Sequence, residues 1–305
     1  MDRLIEKIVE KNNPTVVGLD PNLDFIPESI KRKHFEEDGC TLNAVAKSIF
    51  EFNKKIIDAV EDIVPAVKPQ MAYYEMFGHH GILAFEKTVK YAQLKGLYVI
   101  ADGKRNDIGS TMTAYATAFL GKIKISDIAA EVFGTDALTV NGYLGTDCIN
   151  PLLKTCVEFN KSIFVLVKTS NPSSGELQDR LMGKTSLYEI MGDYCEVWGK
   201  ETIGEYGYSK VGAVVGATYP EQLTTLRQRL PHTFFLVPGY GAQGGAADSV
   251  KGAFDKDGLG AIVNSSRGIM CAYTAQNRPA EDFEECARTE AINMRNALNK
   301  AIGRL

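Results

Sequence analysis

Hydrophobic and β-branched residues are grouped along the chain in eight short runs separated by more polar stretches. The runs occupy residues 15–20, 63–70, 97–104, 136–142, 162–170, 212–218, 233–241 and 260–268. Within them, apolar residues often stand at consecutive positions rather than at every second position. That pattern is typical of strands covered on both faces, as in a parallel sheet. We therefore predict eight strands.

The segments between these runs have the spacing of amphipathic helices. In the segment 41–60, Leu42, Val45, Ile49 and Phe52 recur every three or four residues and mark one face. Further helices are predicted at 79–95, 110–130, 146–159, 185–204, 219–230, 245–253 and 280–302. Strands that alternate with helices indicate a parallel sheet with crossover connections.

Eight strand–helix units in 305 residues favour a closed (β/α)8 TIM barrel over an open doubly wound sheet. The extra length lies mainly in two places. The charged segment 21–41 is predicted to be a solvated insertion after the first strand, and the Ser- and Gly-rich segment 171–184 is predicted to be a long loop after the fifth. No linker or low-complexity tract interrupts the pattern, so we predict one barrel domain spanning residues 1–305.

Composition limits which partners and which cellular compartment we expect for this protein. The chain is 45% hydrophobic and 24% charged, with a net charge of -4 and a sequence pI of about 5.7, which argues against a broad basic face for nucleic acid. No apolar run approaches the ~18 residues that span a bilayer, and residues 1–13 resemble an amphipathic helix rather than a signal peptide. Six scattered cysteines lack a C-x-x-C pair and read as reduced packing residues. We expect a cytoplasmic protein with no membrane partner.

Polar residues concentrate where the predicted strands end, which is where barrel enzymes carry their catalytic groups. The set is Asp20, Lys68, Asp102, Lys104, Asn141, Ser170, Gln243 and Arg267. Polar strand ends could simply reflect exposure to solvent, but that explanation predicts charges at both ends of each strand. The strand starts carry mostly small or apolar residues, so we favour an active site.

The densest group of charges follows the third strand. Asp102 and Lys104 are two positions apart, so in a strand they point the same way, toward the barrel mouth. Asp107 follows in the loop, and Lys68 ends the neighbouring second strand. Such pairs can merely neutralise one another in a protein interior. Four charged groups on two adjacent strands at the catalytic end favour a functional array.

A glycine-rich segment, PGYGAQGG at 238–245, follows the seventh strand. It matches G-x-G-x-x-G, but a dinucleotide site would need this motif in an opening βαβ unit and an acidic residue after the next strand. The motif stands instead late in the barrel, where loops seven and eight often bind phosphate. Arg267, after strand eight, would supply a bidentate cation.

These motifs together resemble the orotidine 5'-phosphate decarboxylase family. The resemblance rests on D-x-K-x-x-D at 102–107 with Ile108 and Thr111. It rests equally on the segments that occur in the family's order, which are GLD at 18–20, Lys68, TSNP at 169–172, PGYGAQGG at 238–245 and NSSRGI at 264–269. It spans essentially the whole chain, and the length is similar to that of the larger bacterial (type 2) subgroup. Ser266 departs from the family, in which glycine often precedes the phosphate-binding arginine.

The resemblance implies a reaction and a role for each residue. The reaction converts orotidine 5'-phosphate to UMP and CO2, the last step of de novo pyrimidine nucleotide synthesis, with no cofactor. Lys104 would protonate C6, Asp102 and Asp107 would flank it, and Lys68 would complete the charge network. The family's substrate contacts fall on Asp20 and Lys68 for the ribose, Ser170 for the pyrimidine, and Gln243 and Arg267 for the phosphate. The family is a homodimer in which Asp107 and Thr111 would reach the partner's site.

Three alternatives remain open at this point. Lys104 or Lys168 could form a Schiff base, as in barrel aldolases, although adjacent aspartates raise the pKa of a lysine when a nucleophile needs it lowered. A magnesium-dependent sugar-phosphate decarboxylase or aldolase of the same barrel family would share D-x-K-x-x-D. A non-catalytic phosphate-binding barrel would have no use for the charge array. The four histidines are dispersed, so we predict no metal site.

Overall fold

Eight parallel strands close into a barrel in this computed structural model, which describes residues 1–241 and 247–304. The strands are β1 (Thr15–Leu19), β2 (Ala66–Pro69), β3 (Tyr98–Arg105), β4 (Ala137–Val140), β5 (Ser162–Lys168), β6 (Val211–Val215), β7 (Phe235–Val237) and β8 (Ala261–Ser265). Each strand pairs with its neighbours in the chain, and β8 pairs with β1 in the register Val16 to Asn264. The predicted (β/α)8 barrel is confirmed, and every predicted strand overlaps an observed one.

The helices lie between the strands and at both ends of the chain. They are α1 (Asp2–Lys11), α2 (Glu28–Asp38), α3 (Leu42–Val60), α4 (Ala72–Glu75), α5 (Gly78–Leu94), α6 (Gly109–Phe119), α7 (Thr146–Phe159), α8 (Leu187–Gly199), α9 (Pro220–Arg229), α10 (Ala247–Val250), α11 (Arg267–Met270), α12 (Ala272–Ala275) and α13 (Phe283–Ala301). Their buried faces pack against the outward faces of the strands in one large apolar cluster.

The inward faces of the strands form a second apolar cluster that fills the lower part of the barrel. It includes Tyr98, Phe164, Phe234 and Ile262. The amphipathic helix α1 joins this cluster through side chains on one face, which are Leu4, Ile5 and Ile8. The amino-terminal end of the barrel is therefore closed mainly by apolar packing, and the buried Asp136 at that end is paired with Arg3 and Lys161.

The predicted helix at 110–130 is wrong in its second half. Helix α6 ends at Phe119, and Ile123–Ile125 pairs antiparallel with Ile128–Ala130 as a short hairpin. The alternation of β-branched isoleucine with polar residues favours a strand over a helix. Ser126 adopts a left-handed backbone conformation, with φ 54°, at the turn.

The predicted solvated insertion at 21–41 is only partly solvated. It contains helix α2, which packs on α3, and the side chains of Ile26 and Ile30 belong to the apolar core. His34 on α2 is also buried, and its Nε2 lies 2.8 Å from a carboxylate oxygen of Glu51 on α3. The charged residues of this segment form the outer face of a docked helix.

All six cysteines are free thiols, as predicted. Cys40 is exposed, whereas the other five are buried. Across residues 1–241 and 247–304, none of the helices combines the length and the apolar character needed to cross a membrane.

Candidate active site

A cavity of about 810 Å³ opens at the carboxyl ends of the strands. Six of the predicted site residues line it, namely Asp20, Lys68, Asp102, Lys104, Ser170 and Arg267. They come from β1, β2, β3, β5 and β8 or from the loops that follow them, so the barrel brings together residues that are far apart in the sequence. Gln243, predicted as a phosphate ligand, lies outside the described residues.

Asp102 is the centre of the hydrogen-bond network in this cavity. One carboxylate oxygen, Oδ2, accepts from Lys68 Nζ at 2.7 Å and from Gln70 Nε2 at 2.8 Å. The other, Oδ1, accepts from Lys104 Nζ at 2.6 Å and from the Thr139 hydroxyl at 2.8 Å. The carboxylate is thus held by four donors from three adjacent strands, so its position and that of both lysines are fixed together.

Charge pairing outweighs burial in setting the protonation of this network. Burial alone raises the pKa of Asp102, but the charges of Lys68 and Lys104 hold that pKa well below its usual value. Burial alone likewise lowers the pKa of Lys68, yet the charges of Asp102 and Asp20 raise it overall. Asp102 is therefore a carboxylate and Lys68 an ammonium ion across the physiological pH range.

The backbone at Lys104 departs from regular strand geometry. Its φ is 47°, in the left-handed region, and the pairing of β3 with β4 shifts register between Ala101 and Arg105. The Lys104 amide donates to the Thr139 hydroxyl at 3.0 Å instead of to a strand carbonyl. Such bulges re-aim side chains. Here the Lys104 side chain lies in the cavity, with 46% of its surface exposed and its ammonium on Asp102.

Asp20 presents an unsatisfied acceptor to the same cavity. Its Oδ1 is buried and has no hydrogen-bond partner among the described residues. A buried carboxylate oxygen without a donor is costly unless a ligand supplies one. A hydroxyl group of a bound substrate is the kind of donor that would satisfy it.

Arg267 and the loop after β7 form the opposite wall. Arg267 is exposed at the start of α11, and Gly239 and Tyr240 line the cavity near it. Ser266 also lines the cavity, and its hydroxyl accepts from Asn264 Nδ2 at 3.2 Å. A Cβ added at Gly18 would come within 1.9 Å of Ser266 Oγ, so the side chain of Ser266 occupies space that glycine at position 18 leaves open.

Two predicted site residues do not line the cavity of their own barrel. Asp107 lies in the loop after β3, where its Oδ1 accepts from the Ile108 amide at 2.8 Å. Thr111 is exposed on α6. Arg105 also does not line the cavity, and its guanidinium pairs with Glu75 and donates to the carbonyl of Gly103.

Sequence reasoning selected one residue wrongly on β4 and missed others. Asn141, included among the polar strand ends, accepts from the Tyr143 amide at 3.0 Å and does not line the cavity. Thr139, two positions earlier, takes its place beside Asp102. The inward alternation of β4 could have identified Thr139, whereas Gln70 contacts Asp102 only because β2 continues into an isolated bridge beyond its last regular pair.

Lys168, one of the two lysines considered as a Schiff-base nucleophile, is also absent from the cavity wall. Its side chain is completely buried, and its Nζ lies 2.7 Å from a carboxylate oxygen of Asp179. The geometry therefore does not favour an aldolase based on this residue.

A closed parallel barrel with charged side chains converging at the carboxyl ends of its strands is the architecture of a TIM-barrel enzyme. Residues 16–281 match the family described as "Orotidine 5'-phosphate decarboxylase / HUMPS family", and the chain belongs to that family. The resemblance drawn from the sequence motifs is thereby confirmed.

Individual relatives are similar to this chain over nearly its full length. The chain is 42% identical over 301 residues to an orotidine 5'-phosphate decarboxylase of Caldicellulosiruptor bescii, covering 99% of this chain and 98% of that protein. It is 42% identical over 295 residues to the orotidine 5'-phosphate decarboxylase of Rhodopirellula baltica, covering 95% of this chain and 96% of that protein. Among solved structures, a candidate orotidine-monophosphate decarboxylase of Toxoplasma gondii has 29% identity and a TM-score of 0.77, covering 98% of each chain.

Proposed function

We propose that this chain decarboxylates orotidine 5'-phosphate to UMP and CO2 without a cofactor, in the last step of de novo pyrimidine nucleotide synthesis. The observation that carries the proposal is the network in which Asp102 holds Lys68 and Lys104 together at the mouth of the barrel. Full-length relatives named orotidine 5'-phosphate decarboxylase support the same substrate.

The chemistry explains why charged side chains are needed. Loss of CO2 leaves an electron pair at C6 of the pyrimidine, and the ring offers no obvious place to delocalise it. An enzyme for this reaction must lower the barrier by roughly 20 kcal/mol, near the upper part of the usual range. A fixed ammonium ion beside C6 stabilises that developing charge and can then deliver a proton to the same carbon.

Lys104 is the residue proposed for this role. Its Nζ lies 2.6 Å from a carboxylate oxygen of Asp102 and in the cavity, so it is both paired with that carboxylate and accessible to a ligand. Asp102 also places negative charge where the substrate carboxylate would bind. Two unit charges ~4 Å apart repel by roughly 4 kcal/mol at an effective dielectric constant of 20, so repulsion supplies only part of the required effect.

Binding of the nucleotide is assigned to the rest of the cavity wall. We propose that Asp20 and Lys68 bind the ribose hydroxyls, that Ser170 contacts the pyrimidine, and that Arg267 binds the phosphate together with Gln243. The unsatisfied Oδ1 of Asp20 and the exposed guanidinium of Arg267 on the cavity wall support this arrangement. Contacts remote from C6 can contribute to catalysis by aligning the base with Lys104.

We further propose a cytoplasmic homodimer whose active sites are shared, with Asp107 and Thr111 contributed to the partner's cavity. Neither residue lines the cavity of its own barrel. The segments after β3 and β4 also expose large apolar side chains, including Ile108, Ile125, Ile128 and Tyr143. Exposed apolar groups of this size are typical of a surface that is covered by a partner.

The magnesium-dependent sugar-phosphate alternative has less support. The family description covers more than one activity, but the full-length relatives at about 40% identity are named orotidine 5'-phosphate decarboxylase.

One spectrophotometric assay tests the proposal. Purified protein is mixed with orotidine 5'-phosphate, and the loss of its absorbance is followed with and without excess chelator. We expect turnover at the same rate in both samples, with UMP as the product. Absence of turnover would refute the proposed function, and turnover that the chelator abolishes would show that the reaction depends on a metal ion.

A further inference from the structure

Lys168 is a buried charged group that the proposed reaction does not use. It ends β5, and its side chain has no exposed surface. Its Nζ lies 2.7 Å from Asp179 Oδ1 and 3.3 Å from Ser174 Oγ, and it stands 4.7 Å from the centre of the Tyr219 ring. A buried ammonium ion is unfavourable without such partners. Both of its hydrogen-bond partners come from the segment 171–184.

The next residue of the chain is held by the same segment. The Thr169 amide donates to Gln178 Oε1 at 2.9 Å, and Gln178 Nε2 donates to the Thr169 hydroxyl at 2.8 Å. The Thr169 hydroxyl in turn donates to Asn171 Oδ1 at 2.6 Å. Two consecutive residues, Gln178 and Asp179, thus bind the consecutive residues Thr169 and Lys168.

These contacts fold the segment back onto the end of β5 beside the cavity. Thr169, Ser170 and Asn171 all line the cavity wall. On the other side, a Cβ added at Gly216 would lie 2.8 Å from Ser170 Cβ, so Ser170 is also packed closely against the residue that follows β6. We call the contacts of Gln178 and Asp179 with Thr169 and Lys168 the clamp. The position of Ser170 is therefore set by the clamp and by the packing against Gly216.

We infer that Lys168 and Gln178 are positioning residues that hold Ser170 and Asn171 against the pyrimidine of the bound nucleotide. The inference rests on the proposed function and adds to it a means of base recognition. Gln178 acts through Thr169, and Lys168 acts through Asp179 and Ser174. Neither residue touches the substrate.

This role can be separated from a general effect on stability. If the clamp only stabilises the barrel, breaking it should weaken the binding of every ligand to the same extent. If the clamp positions Ser170 and Asn171, breaking it should weaken the binding of a ligand that carries the base and leave the binding of a ligand without the base unchanged. UMP and ribose 5-phosphate are such a pair, because they share the sugar and the phosphate.

The experiment compares three variants with the wild-type protein. Gln178→Ala removes one half of the clamp, Lys168→Met replaces the ammonium with an apolar chain of similar length, and Glu176→Ala is a control at an exposed position of the same segment. Turnover of orotidine 5'-phosphate and the inhibition constants of UMP and ribose 5-phosphate are measured for each variant.

For Gln178→Ala and Lys168→Met we expect KM for the nucleotide and the inhibition constant of UMP to rise about tenfold, as for the loss of one or two hydrogen bonds. The inhibition constant of ribose 5-phosphate should stay within about twofold, and Glu176→Ala should resemble the wild type. Should Lys168→Met fail to fold, Gln178→Ala still decides the matter.

Equal weakening of both ligands, or no weakening of either, would overturn the inference. If the wild-type protein turns over orotidine 5'-phosphate while Gln178→Ala behaves identically, only the inference fails. A wild-type protein that does not turn over the nucleotide removes the proposed function, and the inference with it.

Discussion

At the scale of single residues, Asp102 connects the two lysines of the site to three strands of the barrel. Its four donors fix one carboxylate geometry, with Lys68 and Gln70 on one oxygen and Lys104 and Thr139 on the other. Lys68 is buried and Lys104 is half exposed, so the two ammonium ions are not equivalent. Lys104, the more exposed of the two, is therefore the proposed proton donor.

Replacing Lys104 with alanine tests the proton-donor role. We expect turnover to fall on the order of 10⁵-fold, because both general-acid catalysis and electrostatic stabilisation are lost. Binding of UMP, measured by calorimetry, should remain detectable, since the phosphate and ribose contacts are intact. Substantial residual decarboxylation by Lys104→Ala would rule out this role.

Replacing Arg267 with alanine tests the phosphate site. The loss of a bidentate cation should lower kcat/KM for orotidine 5'-phosphate on the order of 100-fold or more. Orotidine, which lacks the phosphate, provides the matched substrate, and its slow decarboxylation should change little. An equal effect on nucleotide and nucleoside would show that Arg267 acts elsewhere.

The paired charges of Asp102 and Lys68 predict how stability depends on pH. The folded-state pKa of Asp102 lies below its usual value of 3.8, so its contribution is present above that pH and is lost as pH falls toward the folded value. The folded-state pKa of Lys68 lies above 10.5, so its contribution is present below pH 10.5 and is lost above the folded value.

Urea unfolding of wild type and Asp102→Asn measures this contribution. The difference in unfolding free energy should be constant between about pH 5 and 7 and should narrow below about pH 4, because only the wild type has the titrating carboxylate. Asp24→Asn, at an exposed position, is the control and should track the wild type. A difference that varies steadily across the neutral range would contradict the assignment.

The residues that the sequence could and could not reveal differ in a physical way. Asp102 was predictable because two-residue alternation within β3 sets its direction. Lys104 also lies in the cavity as predicted, but a left-handed backbone with φ 47° directs it there rather than regular alternation. Thr139 could have been found from the inward alternation of β4, whereas Gln70 was missed because its contact with Asp102 depends on an isolated bridge between β2 and β3. Contacts that depend on register between strands cannot be derived from the pattern of one strand alone.

At the scale of elements, helix α1 closes the end of the barrel opposite the active site. Its buried side chains, Leu4, Ile5 and Ile8, pack on the same apolar cluster as Tyr98 and Phe164. The amphipathic pattern of residues 1–13 predicted this helix. Its position under the barrel was not predictable, because the pattern gives a buried face and not the surface that buries it.

Leu4→Ala tests the contribution of this helix. Leu4 is fully buried, so the loss of packing should lower the unfolding free energy by about 3 kcal/mol. Val9→Ala, on the exposed face of the same helix, should change it by less than about 0.5 kcal/mol. The site lies at the other end of the barrel, so kcat of both folded variants should equal that of the wild type.

The hairpin at Ile123–Ala130 shows where element prediction failed. Residues 110–130 read as one helix because alanine and apolar residues continue past Phe119. The alternation of isoleucine with polar residues and the left-handed Ser126 turn give an antiparallel pair instead. Pairing between strands of a hairpin stabilises a conformation that a single-strand propensity does not reveal.

At the scale of the whole molecule, eight strand–helix units in chain order make barrel closure the expected result, and β8 pairs with β1 as required. The proposed homodimer is harder to infer from a single chain. Asp107 and Thr111 lie after β3 without lining their own cavity, and the same region exposes isoleucine side chains. A shared site would account for both observations.

Mixing two inactive variants tests the shared site. Lys104→Ala and Asp107→Ala are each expected to have greatly reduced activity as homodimers. In a mixed dimer, one site would contain wild-type Lys104 from one subunit and wild-type Asp107 from the other. Refolding an equal mixture should therefore restore about a quarter of the wild-type sites, given random pairing of subunits. No restoration, with mixed dimers demonstrated by mass, would place Asp107 in its own subunit's site.

Because the backbone at Lys104 is left-handed, selection for stability and selection for activity should favour different residues at this position. A non-glycine residue at positive φ is strained by roughly 1–2 kcal/mol, so folding alone would favour glycine at this position. Proton transfer, by contrast, requires the lysine side chain. A library at position 104 screened only for thermal resistance should therefore become enriched in glycine, whereas one screened for decarboxylation should retain lysine. At this position the demands of the fold and of the reaction act in opposite directions.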